Sequence, residues 1–489
     1  FVFKSIVLLL PILLPLIGGL VVFRMRDAKA RRIAVSASVL CTLVSAVGVS
    51  FLPDLSLRIW DLGGSIAIYL RLDAMGRFFL CLVSGIWTLV AFFAYEYMQH
   101  EGREERFFGF YTMTLGILMG LGLAGNLLTL YMFYEMMTLI TVPLVIHNGS
   151  REAVAAGFKY LGYSTFGAGL ALIGFFFLNR YCSTTEFSAG GTLDFSLAAG
   201  NENLLFAVWL LMMIGFGCKA GMMPLQSWLP TAHPVAPAPA SAVLSGIITK
   251  AGVLAIIRVT FYLFGADFLR GSWAQTTLLC LALATVFAGS MLAYKEKVFK
   301  KRLAYSTVSQ VSYVLFGLFL LNSVGFTGAL LQVVFHALVK NLLFLAAGAV
   351  IYKTGKTDVR ELVGIGKQMP IVIWCFAFGA LSLIGIPPTA GFVSKWYLAQ
   401  GGIADYGILG IVGAAILLVS ALLTAGYLLP VVTRGFFPGR DFDYANLEKK
   451  EPSGYMTVPL VILAALAVLL GIFPGGLIEW ISGISAVLF

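Results

Sequence analysis

GFGCKAGMMPLQSWLP (residues 215–230) and LIGIPPTAGFVSKWYL (residues 383–398) are the two stretches whose reading decides the fold. Each lies in an apolar run too long for one straight helix, and each holds a Gly/Pro interruption beside a lysine. Proline cannot donate to the helix ladder and clashes with the preceding turn, so Pro224 in the first stretch and Pro387 and Pro388 in the second predict broken helices. Gly391 marks the restart of the second one. Paired broken helices in corresponding positions of two halves point to a transporter-like fold with its ion site near the membrane midplane.

Outward from these breaks, apolar segments of about 20 residues recur, the length a helix needs to cross the hydrocarbon core. Fourteen are expected, near 5–23, 33–52, 75–97, 107–123, 127–146, 154–178, 203–231, 238–262, 272–293, 303–321, 325–351, 371–399, 407–433 and 455–474. The fold class is therefore an all-α polytopic membrane protein with discontinuous helices seven and twelve. Because the breaks are an odd number of spans apart, two five-span units of opposite topology are expected. The division reads 1–106 (spans one to three), 107–264 (first repeat, spans four to eight), 265–435 (second repeat, spans nine to thirteen) and 436–489 (a loop and span fourteen).

The composition agrees. Of 489 residues 60% are apolar and 11% charged, against roughly 25% charged in an average soluble domain, which excludes a soluble globular protein. The formal charge is +10, but its placement makes it a topology signal rather than a nucleic-acid footprint. Loops after odd-numbered spans hold 21 of the 33 basic residues, while loops after even-numbered spans and the termini hold five. By the positive-inside rule both termini face outward. The cysteines (Cys41, Cys81, Cys182, Cys218, Cys280 and Cys375) include no CxxC pair, so no metal, disulfide framework or iron–sulfur site is signalled. The run from Ser5 to Phe23 reads as a span, not a signal peptide.

Seven basic residues remain within or near the spans: Arg77, Lys159, Lys219, Lys250, Arg258, Lys340 and Lys395. A charge at the centre of a membrane helix costs about 2.5–3.5 kcal/mol even on the lenient insertion scale, so central lysines must line a polar interior. Glu135, eight residues into its span, is the only acid so deep. Lys250 and Lys340 are mid-span, too far from an end to snorkel. His336 lies one turn before Lys340 on the same helix face. Lys219 precedes the first break, where freed carbonyls favour a cation, and Lys395 follows the second, where exposed N–H groups disfavour one. The two lysines are thus expected in opposite electrostatic settings. Arg77 and Arg258 read as snorkelling structural residues, Lys159 as a lesser relay candidate or partner for Glu135, and His233 as the boundary of a water-filled entrance. One acid followed by a series of bases describes a lateral proton relay rather than a substrate cavity.

These residues carry a resemblance. The stretch from Lys219 through WLPTAHPVAPAPASAVLSGIITKAGV (228–253), with KRLAYSTVSQVSY (301–313) and IPPTAGFVSKW (386–396), resembles the antiporter-like membrane subunits shared by respiratory complex I, Mrp-type Na+/H+ antiporters and membrane-bound energy-converting hydrogenases. The resemblance implies fourteen helices, two inverted repeats and a hydrated midplane axis. It assigns Glu135 and Lys219 to the family's glutamate–lysine pair, Lys250 to its bridging residue, His336 and Lys340 to the polar pair of helix eleven, and Lys395 to the terminal residue. It implies a proton-translocating subunit of a hydrogenase-like, Mrp-like or complex I-like assembly in a prokaryotic cytoplasmic membrane. The partners it implies are further membrane subunits, antiporter-like ones among them, and a peripheral redox arm or an Na+ gradient that drives transport; no nucleic acid is expected. The subunit itself carries no cofactor, so electron transfer belongs to a partner. Glu135 can also serve Na+, but the absence of a carboxylate cluster favours protons. The other classes weighed are a stand-alone carrier of a small solute, which needs groups converging on one cavity, and a non-conducting scaffold, against which the intact Glu135, Lys219, Lys250 and Lys395 argue.

Overall fold

The computed structural model describes residues 2–63 and 66–489. Its long helices are α1 (Phe3–Val22), α2 (Ala28–Ser50), α3 (Ala74–Glu101), α4 (Glu104–Leu123), α5 (Leu127–Val145), α6 (Arg151–Tyr181), α7 (Glu202–Ala220) and α8 (Ala238–Phe264). They continue as α9 (Trp273–Lys295), α10 (Phe299–Phe319), α11 (Ser323–Thr354), α12 (Pro370–Ile384), α13 (Ala390–Asp405), α14 (Gly407–Phe436), α15 (Gly454–Ile472) and α16 (Gly475–Leu488). Among the described residues twelve of these are long and apolar enough to cross a membrane. The segment expected at 303–321 lies in α10, whose first turn holds Lys300, Lys301 and Arg302. The one expected at 371–399 is divided between α12 and α13.

Both breaks fall where the prolines predict. Helix α7 stops at Gly221, which takes a left-handed φ of 84°, and a single turn, Trp228–Ala232, follows Pro224. Helix α12 stops at Gly385, with φ 92°, and α13 resumes after Pro387 and Pro388. The Met223–Pro224 and Pro387–Pro388 peptides are both cis.

Burial sorts the helices into a centre and a periphery. The apolar window of α8 is buried throughout and that of α11 is 94% buried, whereas α14 is 28% buried. Leu418 and Leu422 of α14 and Phe158 of α6 instead face outward. An apolar exterior suits lipid, and the two central helices are where polar groups can be enclosed by protein. Helix α8 widens to a π-helical turn at Leu244–Ile248, just before Lys250; such turns recur at functional sites.

Two elements lie outside the apolar pattern. Strands β1 (Ser56–Gly63) and β2 (Ile66–Arg71) form an antiparallel hairpin in the region read as the loop between the second and third spans. Its alternation is short and mixed with charge, so it leaves no trace in a hydropathy reading. Asn126 fixes it to α5, donating to Ala67 O at 2.7 Å while its own Oδ1 caps Thr129 N. Helix α16 turns back against the bundle, its Ser485 hydroxyl bonded to that of Ser323 at the start of α11.

Arg258 corrects the snorkelling reading. Its side chain is 1% exposed and ends in a two-pronged ion pair with Asp73, the residue that caps α3 through Gly76 N. The rings of Phe187 and Tyr262 lie on the guanidinium at 5.2 and 4.8 Å. Removing one partner of a buried pair leaves an uncompensated charge and costs about 3–5 kcal/mol, whereas an exposed pair is worth about 0–1 kcal/mol. Arg77 and Asp54 form such an exposed pair at 2.7 Å. Thermal unfolding of the purified protein should therefore show a large loss for Asp73→Ala and little change for Asp54→Ala.

Candidate proton-relay site

Lys219, the penultimate residue of α7, is fully buried. Its Nζ donates to Tyr160 Oη at 2.8 Å and to Ser164 Oγ at 2.9 Å, both on α6, and lies 4.2 Å from the centre of the Tyr160 ring. Tyr160 is held in turn by Thr141 of α5 at 2.7 Å. Trp228 donates to Cys218 O at 2.7 Å and closes the end of α7. Helix α8 meets this corner at Gly252, where a Cβ would stand 2.8 Å from Lys219 Cβ and 2.9 Å from Ala220 N.

Glu135 sits on α5, half-buried on the flank of the bundle. It is electrostatically coupled to Lys219, yet among the described residues no ion pair joins the two, and Oε1 is buried without a partner. Lys159 does not fill that role, because its Nζ donates to Thr231 Oγ1 at 3.0 Å on the turn after the break.

The next group gathers on α8 and α11. Lys250 Nζ contacts His336 Nδ1 directly, with weaker bonds to Ser245 O at 3.4 Å and Thr249 Oγ1 at 3.3 Å. Among the described residues His336 Nε2 is buried and unpartnered, and the ring feels the charges of Lys250, Lys340 and Lys395. Lys340 Nζ donates to Leu303 O of α10 at 2.9 Å. His233 is fully buried and stacks on Phe344 with centroids 4.8 Å apart. Among the described residues neither of its ring nitrogens has a partner, and it lies in the field of both Lys340 and Lys300.

On the same face of α11 as His336, but not bonded to it, a polar bridge that hydropathy does not signal joins α10 to α13. Gln332 donates to Gln310 Oε1 of α10 at 3.2 Å and accepts from Ser394 Oγ at 2.6 Å. The spacing held the clue: Gln332, His336 and Lys340 fall at i, i+4 and i+8 and so share one face of α11. Lys395, beside Ser394, has its Nζ 5.0 Å from the centre of the Tyr313 ring.

Neither break lysine has its expected setting. Lys395 Nζ donates to Leu383 O and, at 3.2 Å, to Ile384 O, the terminal carbonyls of α12. Lys219 instead meets side-chain hydroxyls. One rule explains both. Helical side chains lean toward the N-terminus of their own helix. The stem of Lys219 therefore leans away from the carbonyls freed at the end of α7, while that of Lys395 reaches back across the break to carbonyls left without intrahelical donors.

Known proteins share this architecture. Residues 124–424 match the family described as NADH:quinone oxidoreductase/Mrp antiporter, TM, and residues 61–108 match NADH-ubiquinone oxidoreductase (complex I), chain 5 N-terminus. The chain belongs to the NADH:quinone oxidoreductase/Mrp antiporter family. Within that antiporter-like family it is 34% identical to NADH-quinone oxidoreductase subunit N of Desulforudis audaxviator strain MP104C, over 80% of this chain and 81% of that one. It is 29% identical to an Na(+)/H(+) antiporter subunit of Alkalihalophilus pseudofirmus strain OF4, over 95% and 93% respectively. A chain in the structure of the Mrp complex from Dietzia sp. DQ12-45-1b shares the fold at a TM-score of 0.84 with 23% identity, covering 100% of this chain and 98% of that one.

The second break depends on close approach. A Cβ at Gly391 would overlap Ser382 O, so α12 and α13 can cross there only without a side chain. Gly391→Ala should lower the unfolding temperature, since forced overpacking costs about 1–3 kcal/mol or more. Gly162→Ala on α6 has open space around it and should stabilise slightly, helix propensity favouring Ala by about 0.8–1 kcal/mol.

Proposed function

We propose that this chain is the proton-translocating, antiporter-like subunit of a multisubunit ion-pumping membrane complex. It moves H+ along Glu135, Lys219, Lys250, His336, Lys340 and Lys395 while the driving chemistry, a redox reaction or an Na+ gradient, belongs to partner subunits. The observation that carries this reading is the Lys250–His336 contact between the two most buried helices, which puts a proton donor on an acceptor at the centre of the bundle.

The physical logic is mutual exclusion of charge. Two like charges about 4 Å apart repel by about 4 kcal/mol at an effective dielectric of about 20. Lys250 and His336 therefore do not both hold an extra proton, and Lys340 adds a third charge to the same field. A proton arriving at one site lowers the affinity of the next, so charge moves by displacement. The Gln310–Gln332–Ser394 bridge offers donors and acceptors that carry the path on to Lys395. His233, between Lys340 and Lys300, supplies a branch toward the basic ends of the helices.

The basic loops support an orientation in a prokaryotic cytoplasmic membrane with both termini outside. The matched breaks support two inverted repeats, 107–264 and 265–435. Further membrane subunits, antiporter-like ones among them, are the partners in this proposal. The parent assembly follows from what co-purifies, because a peripheral redox arm marks a redox pump and its absence an ion exchanger.

Glu135→Gln and Lys219→Ala should each abolish proton movement in sealed vesicles while the complex still assembles. Full pumping by an assembled Lys219→Ala variant would overturn the relay.

A further inference from the structure

A second site lies outside the relay, at the basic end of the bundle. A cleft of about 270 Å³ opens between the α9–α10 connection, the segment after α11 and the end of α14. Lys295, Lys297, Arg302, Arg360 and Arg434 line it, with Tyr294 at its edge. The facing carboxylates are already engaged. Arg360 bonds Asp358 at 2.6 Å, and its hydrogen bonds hold that carboxyl down at about 2. Glu296 lies 3.8 Å from Lys301. Arg302 feels Glu296 and Asp358 as well as Arg434, and the bases of the lining outnumber those two carboxylates, so the cleft is net positive.

The frame is rigid. Phe299 N donates to Thr357 O at 2.8 Å and Val359 N to Lys297 O at 2.9 Å, joining two connections into one ledge. Arg302 forms the floor, 8% exposed, with Nε on Glu296 O at 2.7 Å and Nη1 on Tyr427 O at 2.9 Å, which leaves Nη2 for the cleft. Pro430, also in the lining, has no N–H to offer the carbonyl of Gly426 one turn back.

We infer that this cleft binds the phosphate headgroup of an anionic phospholipid such as phosphatidylglycerol. The flanking helices argue for a lipid over a soluble anion. Phe287 of α9, on the same helix face as Tyr294, and Leu422 and Leu418 of α14, on the same face as Gly426, are exposed and give acyl chains an apolar track. Tyr294 at the rim is 52% exposed, as suits an aromatic at the headgroup level. Basic pockets between helices on the positive side of a membrane are suited to such headgroups.

The test is native mass spectrometry of the full-length detergent-purified chain titrated with phosphatidylglycerol, with phosphatidylcholine of the same acyl chains and with soluble glycerol 3-phosphate. Lys297→Gln with Arg434→Gln should weaken phosphatidylglycerol binding about 30-fold, at about 1 kcal/mol per basic residue, and leave phosphatidylcholine unchanged. Arg24→Gln with Arg26→Gln removes the same charge at the α1–α2 connection and should change neither. The two single cleft variants are read in parallel, each with a smaller loss, so a double variant that fails to fold still leaves a result. Equal loss in the control, unchanged phosphatidylglycerol binding by the cleft variants, or glycerol 3-phosphate binding as tightly as the lipid would each overturn the assignment.

Discussion

A charge placed in hydrocarbon must be enclosed by protein, and the rest of this structure follows from how that constraint is met. Helices α8 and α11 are buried on all sides, so Lys250, His336 and Lys340 never face lipid. Enclosure alone would still leave donors without acceptors, at a cost of several kcal/mol for each group that remains unpaired. The structure answers with Leu303 O beneath Lys340, Ser245 O and Thr249 beside Lys250, and Tyr160 with Ser164 around Lys219. Among the described residues His336 Nε2, both nitrogens of His233 and Glu135 Oε1 are buried without partners, as are Thr112 Oγ1, Arg258 Nε and Glu451 Oε2 elsewhere in the bundle.

The two breaks serve different ends with similar sequences. At the first, the lysine turns away from its own freed carbonyls and into hydroxyls shared with α6, beside the half-exposed Glu135. At the second, the lysine crosses the break and is held by carbonyls of α12. Lys219 is thus set by ionisable and hydroxyl neighbours and Lys395 by fixed backbone dipoles.

Much of this was legible in the sequence because membrane helices obey simple arithmetic. Apolar length marked the spans, the prolines marked the breaks, and the scarcity of charge made Glu135, Lys219, Lys250, Lys340 and Lys395 conspicuous. Side-chain direction was not legible: the settings of Lys219 and Lys395 depend on where each stem leans from its helix, not on distance from a proline. Gln310, Gln332 and Ser394 escaped notice because a neutral polar residue in an apolar helix is common and gains meaning only from the partner opposite it. Arg258 misled for the same reason, since its partner Asp73 lies 185 residues away in the chain. The β-hairpin is short and mixed with charge, and α16, though apolar, has 14 residues, too few for a span, so neither declares itself.

Whether the row conducts as one continuous path through the middle of the bundle is decided by proton movement into sealed vesicles. The complex to measure carries Lys250→Leu, because this change cuts the row at its centre and leaves Glu135, Lys219 and Lys395 intact. A continuous path predicts an assembled complex that moves no protons. Proton movement at the unmodified rate by that complex would contradict it.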